Sequence, residues 1–297
     1  MGRVTDGLYT RIWALGVRTR NRAKSAALLG SIEPTLLKLA PLLIPAPKGE
    51  VLATVGASMT MRIPPGYPAA RTFAAGLYEP EMTRLFQAVV RPGTTIVDAG
   101  ANVGYYTLLA SSLCRPGGQV YAFEPDALNC SYLTDNVRAN ACSNVKVVRS
   151  ALSNSTGTGR FVPDDYGAEG FLTGEAGHQL AMDVPVTTLD GFLETEGWPP
   201  VDVVKLDIEG SEERALQGMK GLMTRNPHIR LLMELNEPAL SRSGASFESL
   251  AALLFDLGFV RGRRIEGNTR PFTVPDEFPT TKGSYNLILE RDDGSAL

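Results

Sequence analysis

Residues that build covalent or metal frameworks are scarce in this sequence. Its 297 residues include three cysteines, at positions 114, 130 and 142, and two histidines. The cysteine spacing fits neither a C-x-x-C metal site nor the disulfide framework of a small secreted domain. We therefore expect a cytoplasmic protein whose fold depends on the burial of apolar side chains.

Long apolar runs and a strong net charge are missing as well. No run of 18 apolar residues occurs, so we expect no transmembrane segment. The formal net charge is −3, which provides no overall field for binding nucleic acid. This mean hides an asymmetry, because residues 1–48 carry eight Lys or Arg against two acids, and the remainder is net −9.

The basic N-terminal segment has two interpretations. Arg11, Arg18 and Arg20 are interleaved with apolar residues such as Trp13 and Leu15. A basic amphipathic segment is suited to bind an acidic membrane surface, an anionic carrier or a nucleic acid. Alternatively, it packs its apolar side on the domain or on a second copy of the chain, which predicts a homo-oligomer. We predict a helical and hairpin extension over 1–75, and a main domain over 76–297.

From about residue 96 the sequence alternates short apolar runs with amphipathic stretches, which is typical of a parallel sheet between helices. Seven strands are predicted, at 95–99, 119–124, 145–151, 201–207, 229–235, 258–265 and 285–291. Ser211 and Ser246 are predicted N-caps of two of the helices. Residues 153–184 are rich in Gly, Ser, Thr and Asp, so we predict a loop or an irregular hairpin there. A second hairpin is predicted around Gly56.

The segment TIVDAGANVG, at 95–104, carries the strongest functional signal. An apolar strand ends at Asp98, a turn passes through Gly100, and Gly104 begins a helix, which is a geometry that brings backbone close to a ligand. The segment lacks the middle glycine of G-x-G-x-x-G, which a pyrophosphate pressed against the turn requires. Glu124, at the end of the next strand, is suited to accept hydrogen bonds from a ribose. The pattern favours an adenosine without phosphates.

Five segments carry a family resemblance: DAGANVG (98–104), FEP (123–125), SALS (150–153), VTTLD (186–190) and VVKLDIEGSE (203–212). In this order, between Tyr78 and Glu234, the sequence resembles the FkbM family of S-adenosylmethionine-dependent methyltransferases. The resemblance implies an α/β fold of the class I methyltransferase (Rossmann-like) type. It would have a mostly parallel seven-stranded sheet with helices on both faces and a last strand, 285–291, that is antiparallel.

The resemblance also implies a set of cofactor-binding residues. Those expected around the methionine part and the methyl group are Asp98, Gly100, Asn102, Gly104 and Asp207. Those expected around the ribose and the adenine are Glu124, Pro125, Ser150, Ala151 and Leu152. Tyr78 is expected to close over the cofactor, whereas Tyr105 and Tyr106 are expected to belong to the core.

Acids follow the fourth and fifth predicted strands. Asp207 and Glu209 come after one strand and Glu234 comes at the end of the next, so these three are the candidate catalytic acids. Glu212 has helix capping as its alternative. With Asn236, the residues Asp207 and Glu234 form an oxygen set of the kind that Mg²⁺ accepts.

The two histidines differ in their predicted positions. His228 precedes a strand, at the end of the sheet opposite the site, and is expected to be structural. His178 lies in the segment 153–184 and is a candidate base.

We predict that the protein transfers a methyl group from S-adenosylmethionine to a hydroxyl of a sugar, glycoside or natural product, either free or bound to a carrier. N-methylation of a peptide or amide side chain is the alternative. A dehydrogenase is disfavoured by the missing glycine. A binding module without catalysis is disfavoured by the acids at the strand ends.

Overall fold

The computed structural model describes residues 49–163, 170–173, 179–265, 270–281 and 283–291. The strands are β1 (Val51–Val55), β2 (Met59–Ile63), β3 (Ile96–Ala99), β4 (Val120–Phe123), β5 (Val145–Val148), β6 (Ala151–Leu152), β7 (Gly157–Val162), β8 (Phe171–Thr173), β9 (Met182–Thr187), β10 (Val203–Leu206), β11 (Arg230–Asn236), β12 (Phe259–Arg264), β13 (Pro271–Thr273) and β14 (Ser284–Arg291). The helices are α1 (Ala70–Ala74), α2 (Pro80–Val89), α3 (Tyr105–Leu113), α4 (Ala127–Ala139), α5 (Leu189–Thr195), α6 (Glu212–Gln217), α7 (Lys220–Arg225), α8 (Glu237–Arg242) and α9 (Phe247–Asp256). None of these helices has the length and apolarity needed to cross a membrane.

The central sheet contains all seven predicted strands and one more. Its order within the described residues is β13-β12-β14-β11-β10-β3-β4-β5. The pairs from β11 to β5 are parallel, and β14 runs antiparallel between β11 and β12, as predicted for the last strand. The predicted count of seven is wrong, because β13 adds an antiparallel edge to β12. Three residues that begin with proline give no strand signal in the sequence.

The central strands are buried on both faces, which explains why they are continuous apolar runs. Every residue of β3, β4 and β10 is buried. Ile96 and Val203 belong to one core cluster, and their neighbours Val97 and Val204 belong to the other. Since successive side chains of a strand point to opposite faces, the two clusters are the two layers between sheet and helices.

The chain leaves the sheet centre in two directions. From β3 it runs outward to β4 and β5, and it then returns to place β10 on the other side of β3. The connections that follow β3 and β10 therefore diverge, which opens a crevice at the carboxyl ends of these two strands.

The segment 153–184 agrees with the hairpin alternative of its prediction and not with the loop, because β7 pairs antiparallel with β8 and with β9. Its described part contains β7, β8 and the first half of β9, and these strands form a second sheet with β6 in the order β6-β9-β7-β8. Its glycines have a packing reason, since a Cβ on Gly159 would lie 2.5 Å from Val186 and one on Gly170 would lie 2.2 Å from the Phe161 ring. A composition that indicated a loop instead allows close contact between strands.

The predicted hairpin around Gly56 is confirmed. β1 and β2 pair antiparallel, and Gly56 has a φ of 61°. Met61 and Ile63 are fully buried in the same core cluster as Leu108 of α3 and Phe86 of α2. Residues 49–75 therefore pack directly on the main domain. Residues 1–48 lie outside the described residues, so the predictions for the basic segment stay predictions.

Two asparagines of α4 bind the backbone of β2. Asn136 Oδ1 accepts the Arg62 N–H at 2.7 Å, and its Nδ2 donates to the Arg62 carbonyl at 2.9 Å. Asn140 makes the same pair of bonds with Thr60, at 2.9 and 2.7 Å. Four residues of helix rise about 6 Å and two residues of strand about 6.8 Å, so the two spacings match. Side-chain amides thus replace a neighbouring strand at this sheet edge.

Replacing the inner amide is expected to destabilise the fold more than replacing the outer one. Asn136 is fully buried and also donates to the Val103 carbonyl at 2.8 Å, so Asn136→Leu leaves three backbone groups without partners. We expect a loss of about 3 kcal/mol in the free energy of unfolding by urea. The matched Asn140→Leu variant exposes its Thr60 groups to water and should lose less than about 1 kcal/mol. Equal losses in the two variants would contradict this interpretation.

Candidate functional site

The register of the central sheet brings polar residues together at the carboxyl ends of its strands. Asp98 in β3 lies opposite Lys205 in β10, and Lys205 lies opposite Leu232 in β11. Residues two apart in a strand face the same side, so Asp207 and Glu234 are brought next to one another. These acids come from distant parts of the sequence.

A cavity of about 270 Å³ opens at this crevice. Every residue predicted to bind the cofactor lines the cavity, and so do the candidate acids Glu209 and Glu234. His178 lies outside the described residues. Asn236 belongs to the neighbouring strand end but is not among the lining residues.

The glycine turn is shaped by contacts within the protein. Gly100 has a φ of 77°, and a Cβ there would lie 1.8 Å from the Asp207 carbonyl oxygen. Gly104 has a φ of 104°, and its Cβ would lie 2.8 Å from Leu133. Gly100 is therefore required by the close approach of the backbone that follows β10, and Gly104 by its positive φ, whatever the turn binds.

Glu124 connects the end of β4 to the glycine turn. Its two carboxylate oxygens accept the Asn102 N–H at 2.8 Å and the Asp126 N–H at 2.9 Å. The residue is 4% exposed. Burial raises the pKa of Glu124 to about 8, although the two backbone donors oppose the shift.

Asp98 has one carboxylate oxygen in use and one unpaired. Thr107 donates to Oδ2 at 2.6 Å, whereas the buried Oδ1 has no hydrogen-bond partner among the described residues. Burial raises the pKa of Asp98, and the Lys205 ammonium opposes this shift. A buried carboxylate oxygen without a donor is costly, so this atom is suited to a ligand that donates or carries positive charge.

Lys205 is a buried cation in the middle of the central sheet. Its side chain is 3% exposed, and Nζ donates to Asp207 Oδ2 at 2.8 Å. The ammonium also lies 4.9 Å from the centre of the Tyr106 ring. Burial alone would lower the pKa of Lys205, but Asp207, Asp98 and Glu79 outweigh it and raise the pKa. The lysine therefore stays charged at neutral pH.

Asp207 and Glu234 form a carboxyl pair in which the two residues favour opposite protonation states. Burial would raise the pKa of Asp207, but the Lys205 ammonium and hydrogen bonds lower it below its usual range. The charge of Asp207, together with burial, raises the pKa of Glu234 to about 10. Ser284 of β14 donates to Glu234 Oε1. The pair thus holds one proton, on Glu234, at neutral pH.

The third acid of the cluster is Glu209. Asp207, Glu209 and Glu234 each offer an oxygen, and these atoms lie within 4.8 Å of one another. Glu209 has a φ of 50°, and Asn236 Nδ2 donates to its carboxylate at 3.4 Å. Asn236 Oδ1 accepts the Ala239 N–H and caps α8. The acid cluster therefore includes Glu209, and Asn236 supports it from outside.

Glu212 contacts the backbone of the turn before α6 and does not cap the helix, which differs from its alternative interpretation. It is 3% exposed, and its Oε1 accepts the Ile208 and Gly210 N–H groups at 3.4 and 3.2 Å. The carboxyl thus binds the turn that carries Glu209. Ser211 makes no side-chain cap, which corrects the prediction for this helix, whereas Ser246 caps α9 as predicted.

Sequence reasoning missed several residues that line the cavity. They are Tyr67, Glu79, Tyr106 and Lys205. Tyr106 was expected in the core, and it is 4% exposed there, yet it also faces the cavity. Two of these residues could have been found from the sequence. Lys205 lies two residues before Asp207, so both side chains face the same side of the sheet, and Glu79 lies beside Tyr78.

A crevice at diverging parallel strands, a glycine turn and a carboxylate at the next strand end define a nucleotide-binding α/β protein. The model of the Methyltransferase FkbM domain matches residues 98–261. The chain belongs to this family of methyltransferases.

Two similar proteins are both named as methyltransferases. The chain is 30% identical over 141 residues to the hexuronic acid methyltransferase AglP of Haloferax volcanii, a match that covers 48% of this chain and 56% of that protein. It is 27% identical over 161 residues to the 31-O-demethyl-FK506 methyltransferase FkbM of Streptomyces tacrolimicus, which covers 44% and 61%. The chain thus spans little more than half the length of these relatives.

A solved structure, methyltransferase FkbM from Methylobacillus flagellatus, is similar at 17% identity. The similarity covers 74% of this chain and 54% of that one, with a TM-score of 0.41.

The buried Glu212 gives a test by pH. Burial raises its pKa to about 7. Its contribution to stability is therefore complete below its unfolded pKa, near 4.5, and is lost as the pH rises through about 7. Glu212→Gln keeps the acceptor oxygen and removes this titration. We expect equal melting temperatures for variant and wild type at about pH 5 and a higher one for the variant at about pH 8.5, by a few degrees.

The control for this pH test is an exposed glutamate. Glu194→Gln, in α5, should melt in parallel with the wild type at both pH values. A Glu212→Gln variant that is equally destabilised at every pH would contradict the assignment.

Proposed function

We propose that this protein transfers the methyl group of S-adenosylmethionine to a hydroxyl group of a small organic acceptor, such as a sugar, a glycoside or a natural product. The observation that carries the proposal is that the glycine turn, Glu124 and the Asp207–Glu234 pair line the same cavity. The name of one relative gives a 31-O position, which supports an oxygen acceptor, and the name of the other gives a hexuronic acid, which supports a sugar-type acceptor.

The residues of the cavity fit the cofactor in charge and in the groups they offer. The unpaired Oδ1 of Asp98 would face the positively charged methionine part. Glu124 would accept the ribose hydroxyls with its remaining lone pairs, since an ionised carboxylate has about four acceptor positions. These hydrogen bonds would favour the ionised form of Glu124, whose pKa burial raises to about 8 in the free protein. Ser150 and Leu152, which line the same cavity after β5, would border the adenine.

Most of the catalysis then depends on alignment. When bound, S-adenosylmethionine supplies a methyl group on positively charged sulfur, which a nucleophile displaces in line. Holding two reactants in such a geometry supplies a large part of the rate. The chain would contribute by holding the acceptor hydroxyl against the acid pair and by taking up its proton.

Asp207 is the residue that would accept this proton. Lys205 keeps it ionised, so its free lone pairs can accept the hydrogen bond of the hydroxyl. A carboxylate with a low pKa is a weak base, but this is sufficient if the proton leaves late, once the oxygen has begun to bond to carbon. Glu234 would hold its own proton and orient Asp207, with which it shares a hydrogen bond.

A bound Mg²⁺ is the alternative means of activating the hydroxyl. The oxygens of Asp207, Glu209 and Glu234 are close enough to converge on one ion, so Glu209 would take the place predicted for Asn236. The Lys205 ammonium already compensates the charge of Asp207. This compensation favours direct proton transfer over the metal.

The acidic wall also supports an amine acceptor as a second candidate. Asp207 and Glu209 would attract a protonated amine, which must lose a proton before it is methylated. Incubation of hydroxyl-bearing and amine-bearing compounds with S-adenosylmethionine, followed by tandem mass spectrometry, would locate the added methyl group on oxygen or on nitrogen.

Cofactor binding is expected to depend on Glu124 through the ribose. We expect Glu124→Gln to bind S-adenosylhomocysteine about tenfold more weakly in isothermal titration, because the amide offers fewer acceptors to the two hydroxyls. The 2′-deoxy form of the same ligand should be less affected. A uniform loss for both ligands would indicate damage to the glycine turn and would count against a ribose contact. Glu194→Gln serves as the exposed control.

Turnover is expected to depend on Asp207. With an acceptor identified by the mass spectrometric assay, we expect Asp207→Asn to lower kcat at least about 100-fold, because the amide cannot take up the proton. Asp256→Asn, at an exposed position of α9, should retain full activity. Wild-type activity that survives EDTA and does not rise with added Mg²⁺ is expected for direct transfer. Loss with EDTA and recovery with Mg²⁺ would favour the metal alternative.

A further inference from the structure

Glu79 occupies an unusual position between two elements of the cavity wall. It precedes Pro80, the first residue of α2, and has left-handed backbone angles, with φ 38° and ψ 63°. An acid at a helix N-cap usually accepts the helix N–H groups, but the Glu79 side chain makes no such bond. It lines the cavity together with Asp98, Lys205 and Asp207.

The Glu79 carboxylate is held by Tyr106. The Tyr106 hydroxyl donates to Glu79 Oε2 at 2.6 Å, and the face of the same ring covers the Lys205 ammonium. Tyr106 lies in the first turn of α3, directly after the glycine turn. Glu79 is therefore held on the side of the cavity that adjoins the glycine turn.

Near Glu79 the acidic side chains that line the cavity outnumber the cationic ones, which favours a positively charged ligand. Lys205, the described cation among the lining residues, donates to Asp207. Asp98 keeps a buried oxygen without a partner. Glu79 has a raised pKa, first because of burial and then because of the Asp207 charge. A ligand ammonium would satisfy the Asp98 oxygen and favour the ionised form of Glu79.

We propose that Glu79 binds the α-ammonium group of the methionine part of the cofactor, and that Tyr106 positions it for this contact. The assignment rests on the proposed function, since it presupposes that S-adenosylmethionine is the ligand. Glu79 faces the donor side because its support comes from the helix that follows the glycine turn. The acid pair that would face the acceptor is built from β10 and β11.

The test compares two ligands that differ by the ammonium alone. S-adenosylhomocysteine carries it, and its des-amino analogue, S-adenosyl-4-thiobutyrate, lacks it but keeps the carboxylate. We expect Glu79→Gln to bind S-adenosylhomocysteine about tenfold more weakly in isothermal titration and to bind the des-amino analogue as the wild type does. Tyr106→Phe should show a smaller selective loss, and it should add little to Glu79→Gln in the double variant.

The matched control is Glu81→Gln, because Glu81 is an exposed acid in the first turn of the same helix and should affect neither ligand. Unchanged binding of S-adenosylhomocysteine by Glu79→Gln would overturn the assignment. So would an equal loss for both ligands, whether it came from a distorted pocket or from a contact elsewhere on the ligand. Failure of the wild type to bind S-adenosylhomocysteine would instead overturn the proposed function itself, and this outcome is visible before any variant is made.

Discussion

The arrangement of the site depends on the ion pair between Lys205 and Asp207. A lysine in a fully buried central strand is tolerated only where carboxylates compensate its charge. Strand geometry provides the first of these, because Asp207 lies two residues along on the same face, and register provides the second, because Asp98 is the cross-strand partner in β3. The Lys205 ammonium thereby connects Asp98, which precedes the glycine turn, with the acids at the ends of β10 and β11.

The pair also sets the protonation of its neighbours. With Asp207 held ionised, the proton of the acid pair resides on Glu234, which Ser284 contacts from the antiparallel strand β14. β14, the last of the described strands, thus takes part in the electrostatics of a site whose lining residues lie between positions 67 and 234. The close packing of Gly100 against the Asp207 carbonyl fixes the distance between the glycine turn and the acid pair of Asp207 and Glu234.

Much of the fold could be predicted from the sequence, because buried parallel strands are apolar runs and the turns between them contain glycine and acids. What local pattern could not provide was contact between distant segments. The eighth strand, β13, pairs along the edge that β12 offers, and Gly159 and Gly170 lie where Val186 and Phe161 leave no space for a Cβ. Ser211 was a plausible cap, but Glu212 binds the N–H groups of the turn before it.

The candidate site was predictable to a similar extent. The residues predicted to bind the cofactor all line one cavity, and most of them lie at or just after the carboxyl end of a strand of the central sheet. Three further residues were missed, because each has a common structural explanation. Lys205 lies in a strand, Tyr106 resembles a core aromatic, and Glu79 is an acid that precedes a proline. Only the register of β3 against β10 and the position of α2 show that they meet.

Residues 67–79 form one wall of the cavity, so they limit where the chain can be shortened without loss of the cavity. The family model begins at Asp98 and ends at residue 261, so Tyr67, Tyr78 and Glu79, as well as all of β14, lie beyond its limits. A chain trimmed to those limits would keep the glycine turn but lose one side of the cavity and the strand between β11 and β12. The structure around the cavity thus extends beyond the segment that the family model matches, and Asn136 and Asn140 connect α4, inside that segment, to β2, outside it.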